Sequence, residues 1–130
     1  MTQEAQSYLA KARQCLANAG ACLGFGLSND AGRGAYLAAF HASQAFIFER
    51  TGKATKTHQG VQSEFHRLAR DEPRIDKEFP PFLSHAYNLK AVADYETGPD
   101  SDIQPERSAE AIEVATRFVD CIAGLLGEGI

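Results

Sequence analysis

Leucine recurs at positions 9, 16 and 23 with Ala12 and Ala19 between, a spacing that lays an apolar stripe along a helix from about Thr2 to Leu23. Gly24 and Gly26 then loosen the chain, and Ser28, Asn29 and Asp30 supply side-chain oxygens that can cap a new helix. That second segment, about Asp30 to Thr51, carries Tyr36, Phe40 and Ile47 on its stripe with Leu37 and Phe48 beside it. Because it is apolar on most sides, it is expected at the centre of the fold.

Thr57 can cap a third helix whose inward stripe is Val61, Phe65 and Leu68 and which should end before Pro73. Pro80 and Pro81 are tolerated in the first turn of a fourth, carrying Leu83, Ala86, Leu89 and Ala93 and ending near Tyr95, ahead of Gly98 and Pro99. Pro105 suits the first turn of a fifth, marked by Ile112, Ala115, Val119, Ile122 and Leu126. No segment alternates as a strand does. The pattern predicts an all-α fold, an up-and-down bundle of four main helices with one shorter helix, and a Gly-, Pro- and Asp-rich linker from Glu96 to Ile103.

A chain of 130 residues has room for one domain, 1–130, and its 44% apolar and 23% charged residues are those of an ordinary globular protein. The net charge of -4 argues against a nucleic-acid coat protein but hides an asymmetry: residues 50 to 77 sum to +3 and residues 94 to 130 to -7. Cys15, Cys22 and Cys121 are odd in number and lack the spacing of a zinc or redox pair, so they read as core residues. Neither a leader peptide nor an apolar run of about 18 residues stands out, and a cytoplasmic setting away from the membrane is expected.

Polar chemistry inside apolar helices is the feature that bears on function. His41 lies within AYLAAFHASQAF (35–46), KTHQGV (56–61) follows, and AVADYE (91–96) comes later. Lys56, Thr57 and His58 stand where free backbone N–H groups at a helix start attract anions, so they can form a phosphate contact, or Thr57 can simply cap the helix between solvated neighbours. Arg67, Arg70 and Arg74, with His66 and Lys77 nearby, form a basic ridge that either follows an RNA backbone or is a solvated face diluted by Glu64, Asp71, Glu72 and Asp76. Gly32-Arg33-Gly34 follows no strand, so its glycines read as points of close helix approach rather than a phosphate loop. His58, His66 and His85 lack the local spacing of a metal site, and neither metal nor cofactor is expected.

Taken together, AYLAAFHASQAF, KTHQGV and NLKAVADYE, in this order and at these intervals, resemble the HEPN domain, specifically its small stand-alone bacterial and archaeal branch, over about residues 5 to 126. The resemblance implies a compact helical bundle with a polar cleft between the second and fourth helices, often a dimer. It further implies metal-independent RNA cleavage in active members, RNA or nucleotide binding in inactive ones, and a minimal nucleotidyltransferase as partner. The active branch carries an arginine followed after four to six residues by a histidine. Here Lys90 stands in the arginine's place, and Asp94 and Tyr95 stand near the histidine's. Losing a general acid or base costs about 10²- to 10⁴-fold in rate, and lysine lacks the planar two-point grip of arginine on phosphate.

Another catalytic set can still be drawn. Tyr87, Lys90 and Asp94 share one face of the fourth helix, and His41 could reach Asp94 from the second; alternatively, His41 is a structural histidine and Lys90–Asp94 a plain ion pair. On this reading His41, Lys90 and Asp94 are the candidate catalytic residues, and Lys56, Thr57, His58, Tyr87 and Tyr95 the candidate RNA or phosphate contacts. The expected function is a dimeric RNA- or nucleotide-binding HEPN-like module, paired with a nucleotidyltransferase in a toxin–antitoxin or defence system, with cleavage weak or absent. The alternatives are a metal-independent endoribonuclease toxin and a purely structural dimeric adaptor.

Overall fold

The computed structural model describes residues 1–98 and 100–127, and five helices account for most of them. They are α1 (Gln3–Gly24), α2 (Ser28–Thr51), α3 (His58–Ala69), α4 (Phe79–Tyr95) and α5 (Pro105–Leu125). No strand occurs among the described residues, so the all-α expectation holds. Among them, too, no helix is long and apolar enough to cross a membrane. Pro99, the expected breaker after the fourth helix, lies outside the described residues.

Helix α2 packs against the other four helices, as its nearly all-round apolar surface predicts. Small residues make this approach close: Ala31, Ala35, Ala38, Ala39, Ala42 and Ala45 are fully buried. At Gly34 an added Cβ would come within 2.9 Å of the Ala19 Cβ on α1, and at Gly32 within 2.9 Å of Ile103 Cδ1. Gly34 therefore serves helix contact, as the sequence suggests, while Gly32 admits Ile103 of the linker and then Ser108 of α5. Beneath α3 and α4 the core is aromatic. Phe118 stacks on Phe65 at 5.1 Å and lies 5.0 Å from Phe79, while Phe46 meets Phe65 edge-on at 5.8 Å. Burying each such ring stabilises the fold by roughly 1.5–3 kcal/mol before any aromatic pairing is added.

The helix ends show where tertiary contacts overrule local signals. Thr2 caps α1, its Oγ1 accepting from the Ala5 N–H at 3.2 Å. Ser28 and Asn29, expected as caps, instead lie in the first turn of α2, whose N-cap is Leu27 with no side-chain hydrogen bond. Their polar groups face the start of α5: Asn29 Oδ1 accepts from the Ile103 N–H at 2.8 Å, and the Ser28 carbonyl accepts from Ser108 Oγ at 2.7 Å. Helix α2 ends at Gly52, whose φ of 72° suits a residue without a side chain. Helix α3 stops at Ala69, and the chain turns through Glu72, a buried carboxylate held by Arg50 and Arg74.

Candidate functional site

Thr57 fixes the entry to α3, its Oγ1 accepting from the Gly60 N–H at 3.0 Å. The cap requires glycine at position 60, because a Cβ there would stand 2.6 Å from that same oxygen. So positioned, His58 turns inward from the first turn of α3, and its Nδ1 lies 2.7 Å from the hydroxyl of Tyr36 on α2. Its ring centroid is 5.6 Å from Tyr36, 4.8 Å from Phe40 and 5.2 Å from Tyr87 of α4, and Tyr36 meets Tyr87 edge-on at 5.5 Å. Three helices thus meet around one imidazole.

Hydrogen-bond chemistry assigns the protons on His58 and His41. Tyr36 is fully buried, and desolvation pushes its phenol well above the ordinary value, so it keeps its proton. The Gln62 side chain opposes this shift. A neutral imidazole nitrogen is the better acceptor, so the Tyr36 O–H donates to His58 Nδ1 and the ring hydrogen sits on Nε2. His41 is the reverse case. Gln44 donates its amide N–H to the Thr55 carbonyl at 2.9 Å, turning its Oε1 toward His41 Nδ1 at 2.7 Å. An amide oxygen only accepts, so His41 carries its hydrogen on Nδ1 and its Nε2 has a free lone pair. Both histidines titrate below their ordinary value. Burial is the main cause for each; the charges of Lys90 and then His41 add to it at His58, and at His41 the bond to Gln44 opposes it.

At the C-terminal end of α4, Lys90 Nζ donates to Asp94 Oδ2 at 2.6 Å and Arg33 Nε donates to Asp94 Oδ1 at 3.0 Å. The Lys90 bond is the main reason Asp94 titrates below its usual range and Lys90 above its own. Tyr95 is 73% exposed, with Lys90 Nζ 5.6 Å from its ring centroid.

The expected bond between His41 and Asp94 is therefore replaced: His41 bonds to Gln44, and Asp94 joins Arg33 to Lys90. His58 and Tyr87 do come together as a ring contact, and the Lys90 charge acts on His58. The Lys56–Thr57–His58 constellation divides: Thr57 is a cap, His58 faces Tyr36, and Lys56 is exposed. Arg33 and Gln44 escape the sequence reading as site residues, and Tyr36 enters it only as a position on the apolar stripe. Gly32-Arg33-Gly34 draws notice only for its glycines, and a partner 61 residues away leaves no local period.

These side chains offer a neutral N–H donor, a neutral acceptor, aromatic rings and two cations sharing one carboxylate. Those are groups suited to an anion carried on a planar or polar body. Comparison with known proteins agrees with the fold. "Putative toxin MJ0605" of Methanocaldococcus jannaschii is 31% identical over 102 residues, covering 78% of this chain and 73% of the relative. The HEPN domain family matches residues 5–125, nearly the whole bundle, and the chain belongs to that family.

Proposed function

We propose that the chain is a toxin-like HEPN module that binds RNA or a nucleotide as a dimer, beside a nucleotidyltransferase partner, with cleavage weak or absent. The observation that carries the binding is the convergence of Arg33 and Lys90 on Asp94, beside His58 and Tyr87. Two cations on one carboxylate keep a net positive charge. Arg33 engages Asp94 through Nε, which leaves its terminal nitrogens for a phosphate. The toxin-like assignment draws on the name of the Methanocaldococcus relative and on family membership.

Proton placement supports binding over cleavage. RNA cleavage through the 2'-hydroxyl needs a base to take the hydroxyl proton and an acid to protonate the leaving 5'-oxygen. His41 Nε2 can be the base. His58, its Nδ1 filled by Tyr36, offers a hydrogen bond at Nε2, and burial disfavours the charged form that an acid would need.

Labelled RNA incubated with purified protein and chelator, with binding followed against salt and mass by light scattering, tests the reading. Salt-sensitive binding by a dimer, weakened in Lys90→Ala and Arg33→Ala and without cleavage, is expected. Absence of binding removes the proposal. Chelator-resistant cleavage lost in Lys90→Ala favours the endoribonuclease instead.

A further inference from the structure

Helix α3 ends at a concave surface, a cleft of about 510 Å³ between its C-terminal turn and the start of α4. His66, Arg70 and Lys77 line it, and Pro73, Pro80 and Pro81 supply a stiff apolar wall. Glu72 is the acidic residue in this lining, and its oxygens are already filled. Glu72 Oε1 accepts from the Arg74 backbone N–H at 3.2 Å and from Arg74 Nε at 2.7 Å. Its Oε2 accepts from Arg74 Nη2 and from Arg50 Nη2, both at 3.1 Å. Of the other nearby arginines, Arg67 is taken by Glu64 at 2.6 and 3.1 Å. Arg70 and Lys77 are exposed and take part in no ion pair among the described residues, and the nearby carboxylates Asp71 and Asp76 do not line the cleft.

The ion pairs thus sort the basic middle of the chain. Arg50, Arg67 and Arg74 are committed; Arg70 and Lys77 remain in one concave place, with His66 as a further donor. This cleft and the His58 cluster stand at opposite ends of α3. From His58 to Arg70 is twelve positions, on the order of 18 Å at about 1.5 Å per residue, the reach of about five stacked nucleotides. Between them Gln59, Ser63, His66 and Arg70 are exposed at spacings of four and three, so one helix face presents polar groups from end to end.

We propose that the α3–α4 cleft is a second phosphate site, binding the backbone of the same RNA strand that meets Arg33, Lys90 and His58. It rests on the RNA-binding reading and adds to it a strand path along α3 and a minimum ligand length. Arg70 and Lys77 neutralise the phosphate, His66 donates to it, and the proline wall packs against sugar or base.

Fluorescein-labelled single-stranded oligouridylates of three and eight nucleotides separate the two ideas by anisotropy. Wild type should bind the longer RNA more tightly. Arg70→Ala with Lys77→Ala should remove that gain, leave the three-nucleotide affinity unchanged, and lower the slope of log affinity against log salt by about 0.7 for each phosphate no longer neutralised. Arg70→Lys with Lys77→Arg keeps the charge and should keep the slope, which separates a missing charge from a misfolded chain. Length-dependent wild-type binding that the alanine pair leaves intact overturns the second site while the RNA reading stands. Failure of wild type to bind either RNA overturns both.

Discussion

Glu72 and Asp94 each hold two cations, one between α3 and α4 and the other at the far end of α4. The Glu72 side chain is 8% exposed and accepts four hydrogen bonds, which fill both of its oxygens. The Asp94 side chain is 23% exposed and accepts two, one from Arg33 and one from Lys90. The same charge pattern therefore has two physical outcomes. Around Glu72 every acceptor is used, the turn after α3 is fastened, and nothing remains for a ligand. Around Asp94 acceptors and donors remain free, so the cations can exchange part of their contact with the carboxylate for contact with an incoming anion. Counting ion pairs does not distinguish such sites; counting unused donors does.

Neither cluster is expected to be the main source of stability. Phe118 is fully buried and touches Phe65, Phe79 and Phe82, so Phe118→Ala should cost about 3–5 kcal/mol by denaturant titration. A smaller loss than that of Glu72→Ala would mean that the charged turn, rather than the aromatic core, holds α3 and α4 together. A paired substitution addresses the contrast itself. Glu72→Gln should lower Tm clearly, whereas Asp94→Asn should leave Tm close to wild type and tighten RNA binding, because Arg33 and Lys90 lose their competitor. Thermal melts beside anisotropy titrations check it, and equal Tm shifts would erase the distinction.

Acid separates the two more finely. Hydrogen bonds from Arg74, first from its side chain and then from its backbone, draw the Glu72 carboxyl down from its ordinary 4.5 to about 2. A depressed folded-state value means that its stabilisation is complete above about pH 4.5 and is lost as pH falls toward 2. Asp94 is depressed in the same sense, and the contrast predicts a smaller share from it. Tm followed from pH 6 to pH 2 should therefore decline less steeply in Glu72→Gln than in wild type. Parallel curves would show that other carboxylates set the acid limit.

Nearly all of the helical architecture is legible in the chain, because seven-residue apolar spacing, Thr57 and the paired prolines act locally. The local pattern puts the start of the second helix at Asp30, yet it starts at Ser28, since Asn29 and Ser28 answer to Ile103 and Ser108 rather than to their own backbone. The end of α3 before Pro73 is legible as well: the helix stops at Ala69, and the turn that follows is fastened where Glu72 gathers Arg50 and Arg74. At the candidate site, Tyr87, Lys90 and Asp94 are visible as one helix face. What no local rule can show is which residue of another helix each will meet. His41 meets Gln44 three residues along its own helix rather than Asp94, whereas Asp94 meets Arg33. Pairings across 22 and 61 residues, such as Tyr36–His58 and Arg33–Asp94, depend on how helices settle on one another.

The bonds from Ile103 to Asn29 and from Ser108 to Ser28 join positions 74 and 80 residues apart. The entropic cost of closing such loops grows slowly with length, but the wait before the two ends can meet is long. The α1–α2 hairpin, whose partners are neighbours along the chain, can assemble early. The start of α5 must then be recruited from the far end of the chain to a docking point that already exists, which makes its arrival, rather than the making of any helix, the expected slow event in folding.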